Sequence, residues 1–419
     1  MQFGKVLFAI SALAVTALGE TTSSLICATL TSTTRISIAS GCSLEDFTAT
    51  AQSNLDELSD CEAVRGDIHI AGSLGSAAIA NVKAIYGSLI VKNATSLVSL
   101  TADSLTTITE QLALSELTIL DTLSFAQLTS VGSIYFVTLP ALEETGFHTG
   151  VSDTESVYIS DTALTNLDGI VATDVDVFNV NNNFNLDTVD SHLETVSSAL
   201  EVSFNSDDVE VSFDNLLWAN NITFRNVASV SLNNLTTVNA SLGFIESGFQ
   251  KLSFPGITRV GGSFSIVDND DLEEIDFSNV QSIGGGLIIA NNSKLTDFSE
   301  WEDLQTVGGA LVLEGSFDNG SFPSLRAVRG AFSLESDGDI SCDDFSDIRG
   351  DTAGEYQCSA ASFSTSASAQ SSSSSTSTGG SSTHTGSSTA TSSSSEDAGV
   401  ALAPASLFTL LASIVLGFL

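Results

Sequence analysis

Carboxylates dominate the reactive groups of this 419-residue chain: fifty-one Asp and Glu stand against twelve Lys and Arg, a formal net charge of −39. Three uses of so many acids have to be weighed. Glycoside hydrolysis needs two carboxyl groups about 5–10 Å apart. At this density some pairs meet that spacing by chance, so their number is no argument for a hydrolase. A polysaccharide lyase would need Lys or Arg to receive an acidic sugar, and cations are scarce. Calcium takes about six to eight oxygen ligands, and the densest acidic run, Asp268-Asn269-Asp270-Asp271-Leu272-Glu273-Glu274, is rich in them. That run lacks the glycine and the spacing of an EF-hand loop. The remaining use is solvation, since like charge keeps copies of a secreted chain apart. The same balance excludes nucleic acid, which needs cations against its phosphates, and disfavours anionic lipid surfaces.

Other reactive residues are few and dispersed. His69, His148, His192 and His384 are scattered, and the two in mid-chain, His148 and His192, read as surface residues. No Gly-x-Ser-x-Gly elbow, His-Glu-x-x-His or phosphate loop is present. The sequence therefore predicts a protein that is not an enzyme, with no catalytic residue, no metal site and no cofactor. The two tryptophans, Trp218 and Trp301, are isolated, and Phe204, Phe224, Phe244 and Phe264 read as core.

Five cysteines occur, at 27, 42, 61, 342 and 358, and none lies between Cys61 and Cys342. The expected pairs are Cys342–Cys358 and Cys42–Cys61, with Cys27–Cys61 as the alternative at the N-terminal end. Six Asn-x-Ser/Thr acceptors stand at Asn93, Asn221, Asn234, Asn239, Asn291 and Asn319. Behind a secretory leader such acceptors are glycosylation sites on exposed positions.

The ends carry the address. Met1–Gly19 has one Lys5, an apolar run Val6–Ala17 and small residues at Ala17 and Gly19. This is the pattern of a signal peptide cut before Glu20. Val400–Leu419 is apolar with no Lys or Arg after it. A membrane span normally carries flanking cations on its cytoplasmic side. An apolar tail preceded by small residues instead predicts attachment of a glycosylphosphatidylinositol (GPI) lipid. Asp397 is the expected attachment residue, with Ser394 and Ser395 as alternatives. Between them, 359–397 is almost wholly Ser, Thr, Ala and Gly, a composition that buries no core and forms a glycosylated stalk.

The elements that must position all this come from a repeat. A short phrase returns thirteen times, clearest at Gly87-Ser88-Leu89-Ile90-Val91-Lys92-Asn93 and Gly285-Gly286-Leu287-Ile288-Ile289-Ala290-Asn291. Its first inward residue is Ile68, Leu89, Leu112, Ile134, Val157, Phe178, Leu200, Ile222, Leu242, Phe264, Leu287, Leu311 and Phe332, at steps of 20 to 24 residues. Alternation at period two around each marker predicts a short strand. Four residues on comes Gly or a polar residue in every copy but one, where Phe204 stands; this is a turn corner. Two further apolar clusters per copy complete a coil that buries its interior only by stacking. The prediction is an all-β, parallel β-solenoid of about 13 turns of about 22 residues. Its expected bounds are an N-terminal cap at 20–63, repeats at 64–340, a C-terminal cap at 341–358, the stalk, and a tail at 398–419 removed on anchoring.

The phrase resembles the receptor L-domain repeat, a right-handed solenoid related to leucine-rich repeats. From Cys42 onward the chain resembles the fungal GPI-anchored family of cell-wall-organisation and sporulation proteins. The resemblance rests on the repeated turns, cysteine-bounded ends, Ser/Thr stalk and anchor tail together. It implies a non-catalytic glycoprotein on the outer face of the plasma membrane and in the wall, serving wall organisation and integrity. The partners it implies are wall polysaccharides or mannoproteins, and the membrane through the lipid. The alternatives are a recognition module or adhesin working through one solenoid face and, less favoured, a carbohydrate-active solenoid enzyme.

Overall fold

The computed structural model describes residues 38–360. The leader, Cys27, the stalk beyond Ala360, the attachment residues Ser394, Ser395 and Asp397, and the apolar tail lie outside the described residues.

The chain coils into a parallel β-solenoid. Every one of the thirteen marker residues pairs in register with the marker one turn away, from Ile68–Leu89 through Leu311–Phe332. All thirteen are buried, as are the residues two positions on, such as Val91, Phe136 and Ile266. Alternation thus sends one residue in two to a shared interior. A second ladder, three or four residues before the markers, runs beside the first; Val64, Ile85, Val196, Val260 and Val328 fill its inner face. One buried cluster extends from Cys42 to Ile348. Its C-terminal half is lined with rings in contact from Phe178 through Phe213, Phe224, Phe244 and Phe264 to Phe277 and the buried Trp301.

The stack is longer than the repeat phrase. Strand Phe47–Ala49 pairs with Ile68–Ile70 at one end, and Tyr356–Ala360 pairs with Phe332–Ser336 at the other. The first lies in the segment expected to be the N-terminal cap, and the second begins in the expected C-terminal cap and continues through Ser359 and Ala360, expected to open the stalk, so the marker row holds fifteen strands and encloses about 14 turns. The end strands escape the repeat pattern because neither carries the Gly-led phrase. Each is secured by a disulfide instead: Cys42–Cys61 spans 19 residues and Cys342–Cys358 spans 16.

The corner four residues past the first eleven markers, from Gly72 to Asn291, is a left-handed turn. Asn93, Glu116, Thr138, Asp161, Asn182, Phe204, Asn226, Glu246, Asp268 and Asn291 all have φ between 50° and 59°. Asn and Asp reach this conformation at low cost; Thr138 and Phe204 hold it because the turns on both sides impose it. Phe204 therefore leaves the core and is exposed, whereas Phe224, Phe244 and Phe264 are buried. Just before the markers, successive turns approach so closely that a Cβ on Gly284 or Gly308 would meet the backbone oxygen of the turn below at 2.0 and 2.1 Å.

The residue after the corner points inward and is often polar. Thr162, Asn183 and Asn205 form one buried chain, and Ser247, Asn269 and Asn292 form another. The Asn183 amide nitrogen donates to the Ile159 carbonyl at 3.2 Å and to Asn205 Oδ1 at 3.0 Å. That of Asn269 donates to the Phe244 carbonyl and to Asn292 Oδ1, both at 3.0 Å. Each amide thus satisfies backbone groups stranded where the chain leaves the strand.

Candidate ligand-binding face

The outward positions of the marker strands form rows running along the solenoid, one residue per turn. On the row just after the markers, Ala113, Tyr135, Tyr158, Asn179 and Glu201 are consecutive neighbours. On the next row stand Val137, Ser160, Asn181 and Ser203, of which Ser160 and Ser203 are buried and Val137 and Asn181 half-buried. Adjacent strands lie ~4.8 Å apart, so these groups recur at that interval along a straight line.

The Tyr135 and Tyr158 rings stack with centroids 5.3 Å apart and planes inclined by 15°. Tyr135 is exposed and Tyr158 half-buried. Beside them runs a directional hydrogen-bond chain. Ser160 donates to Asn181 Oδ1 at 2.7 Å, and Asn181 donates to Asn179 Oδ1 at 2.5 Å. Asn179 then donates to Glu201 Oε2 at 2.9 Å, while Ser203 donates to Glu201 Oε1 at 2.9 Å. The chain fixes both amide orientations, because each carbonyl oxygen is committed to accepting. Each NH2 group keeps one N–H beyond these bonds. Further along, strands Leu242–Ile245 and Leu287–Ala290 are buried at all four positions, and their unbroken small and apolar sequence is that of strands shielded on both faces.

The six glycosylation acceptors fall elsewhere. Asn93 and Asn291 are exposed on the left-handed corner, and Asn234, Asn239 and Asn319 are exposed on other edges of the coil. Asn221, expected to face solvent, is half-buried, and its Oδ1 accepts from the Ser241 amide at 3.2 Å. None lies between Asn93 and Asn221, which is the span holding the Tyr-Asn-Glu rows.

The acidic run at 268–274 is taken apart by the fold. Asn269 is buried in its ladder, and Asp268 accepts from Asn291 at 2.9 Å. Asp271 pairs with Lys294 at 2.6 Å and Glu274 with Lys251 at 2.5 Å. Among the described residues no group of three His, Cys, Asp or Glu side chains is placed to hold a metal ion. His148 and His192 are exposed; His148 Nδ1 lies 3.1 Å from the Gly146 carbonyl oxygen. Burial, then the charges of Glu335 and Asp268, raise the pKa of Glu314 above the usual glutamate value. Glu335 is its direct partner in register. Hydrogen bonds from Thr195 and Thr173 lower that of Asp174.

Comparison with known proteins decides the kinship. The chain is 34% identical over 330 residues to Protein ecm33 of Aspergillus fumigatus, covering 77% of this chain and 82% of that protein. It is 35% identical over 306 residues to a cell surface GPI-anchored protein of Arthroderma benhamiae, covering 73% and 79% respectively. This chain belongs to the fungal family of cell-wall and GPI-anchored surface proteins. A further member of that family, cell wall mannoprotein PST1 of Saccharomyces cerevisiae, is 42% identical over 287 residues, with 68% of this chain and 64% of the mannoprotein covered. The chain thus spans less than two thirds of that relative's length. No family model and no solved structure matches it.

The Tyr-Asn-Glu face was not evident from composition, which drew attention to tryptophan. Its signal was positional: aromatic and amide residues one place after successive markers, where alternation turns side chains outward.

Proposed function

We propose that this protein is a glycosylated, GPI-anchored component of the fungal cell surface that supports wall organisation and integrity without catalysis. The observation that supports this reading is the alignment of the chain with relatives named as cell-wall and GPI-anchored surface proteins, over 72–79% of three of them. The names of these relatives and of cell wall mannoprotein PST1 describe wall and surface proteins and carry no enzyme name. Its place is the outer face of the plasma membrane and the wall beyond, held through Asp397 or its neighbours Ser394 and Ser395. Deleting the gene together with its paralogues should raise sensitivity to wall-binding dyes; unchanged growth on those dyes would overturn the wall role. Phosphatidylinositol-specific phospholipase should release the protein from membranes, and retention after treatment would overturn lipid anchoring.

A further inference from the structure

We propose that the outward rows centred on Tyr135, Tyr158, Asn179, Asn181 and Glu201 bind a neutral polysaccharide chain laid along the solenoid axis. The inference rests on the wall reading above and gives it a site.

Three observations carry it. The first is chemical. A pyranose ring offers apolar C–H faces and a girdle of hydroxyls, so it is received by aromatic surface beside paired donors and acceptors. The stacked pair of exposed Tyr135 and half-buried Tyr158 supplies the first, with centroids 5.3 Å apart. Its flank on one side is Ala113, which carries no ring to cover it. The Asn181–Asn179–Glu201 chain supplies the second, already oriented by its own bonds at 2.5 and 2.9 Å. Preorganised polar groups lose little ordering entropy on binding. Neither tyrosine hydroxyl has a protein hydrogen-bond partner among the described residues.

The second observation is the interval. Groups one turn apart recur at the strand spacing of ~4.8 Å, close to the length of one sugar residue in an extended chain. A linear polymer can therefore meet an equivalent group at each step.

The third is charge and access. These rows contain one carboxylate, Glu201, and no Lys or Arg from Ala113 to Ser203. Within these turns an anionic sugar or phosphate would find no counter-charge, the nearest cations in register being Lys92 and Arg225 beyond the two ends of the rows, so the ligand is neutral. The acceptor-free span between Asn93 and Asn221 keeps the protein's own glycans off these turns.

The test uses the full chain, purified in detergent, and titration calorimetry with hexamers of β-1,3-glucose, N-acetylglucosamine and mannose, the three arms separating the sources of the sugar. At least one hexamer should bind, and Y135A/Y158A should weaken it at least tenfold. N179A/N181A should weaken it as well, while Y86A, an exposed tyrosine on another row, should leave it unchanged. Y135F/Y158F keeps the rings and should retain most of the affinity, which a merely unfolded variant would not. Failure of all three hexamers to bind, equal affinity in Y135A/Y158A, or binding only to a deglycosylated wall protein would overturn the site. The wall role is read separately: a strain that resists wall dyes after gene deletion, with hexamer binding intact in vitro, overturns the role and leaves the site standing.

Discussion

Thr138 is a β-branched residue held at φ 58°, a conformation that costs about 1–3 kcal/mol away from Gly, Asn and Asp. Among the described residues its side chain makes no hydrogen bond that would offset this. Thr138→Asn should therefore raise stability by about 1 kcal/mol, read as slower hydrogen exchange in Ser130–Leu139. The neighbouring inward position behaves oppositely. Asn269 accepts from the Ser247 amide at 3.0 Å and donates to Phe244 and Asn292. Asn269→Leu fills the space but takes a partner from the Ser247 N–H and the Phe244 carbonyl, while Asn292 Oδ1 keeps the Asn269 backbone N–H at 3.0 Å, so it should cost about 2 kcal/mol in unfolding free energy, read from the denaturation midpoint. The corner residues were legible in the sequence, because Asn, Asp and Gly recur there. The ladder was not, because in pairs such as Asn182-Asn183 the two amides look alike and only the fold turns the second one inward.

At the scale of elements, the strand register could be read directly. A one-residue slip would turn every marker to solvent, so alternation at a fixed step left a single alignment, and all thirteen predicted positions pair as expected. The end strands were invisible for the complementary reason. Phe47–Ala49 and Tyr356–Ala360 lack the phrase and are held by neighbours and disulfides. In a solenoid each turn is stabilised by its nearest neighbours, so damage at an end stays local. Closing 16 residues with Cys342–Cys358 contributes about 3 kcal/mol in the chain-entropy view. The double variant C342S/C358S should lose exchange protection in Tyr356–Ala360 and Phe332–Ser336 while Thr195–Ser203 keeps its own. Uniform loss along the chain would show that the turns unfold as one unit.

For the whole molecule the controlling quantity is the charge of −39. Stacking turns brings acids of successive copies together. Among the described residues, four exposed ion pairs between turns, such as Lys83–Glu62 and Lys251–Glu274, answer few of them. Such pairs are worth little individually, so repulsion along the coil outweighs them. Salt screens that repulsion, with a Debye length of about 8 Å at physiological strength. Raising sodium chloride from about 10 mM to 500 mM should therefore lift the melting midpoint by roughly 2–4 °C; a fall would show that the ion pairs dominate. Glu314 is the local instance, its charge opposed first by its partial burial and then by Glu335 in register beside it and by Asp268. Its raised pKa means the folded state holds the proton more tightly than the unfolded chain. The penalty is present above the folded pKa and is relieved as pH falls through it, vanishing below the ordinary value of 4.5. Glu314→Gln should accordingly stabilise the protein at pH 7, by less in high salt, and leave it unchanged near pH 3.5. A gain that persists at low pH, where the carboxyl is protonated, would show that ionisation of Glu314 is not its origin.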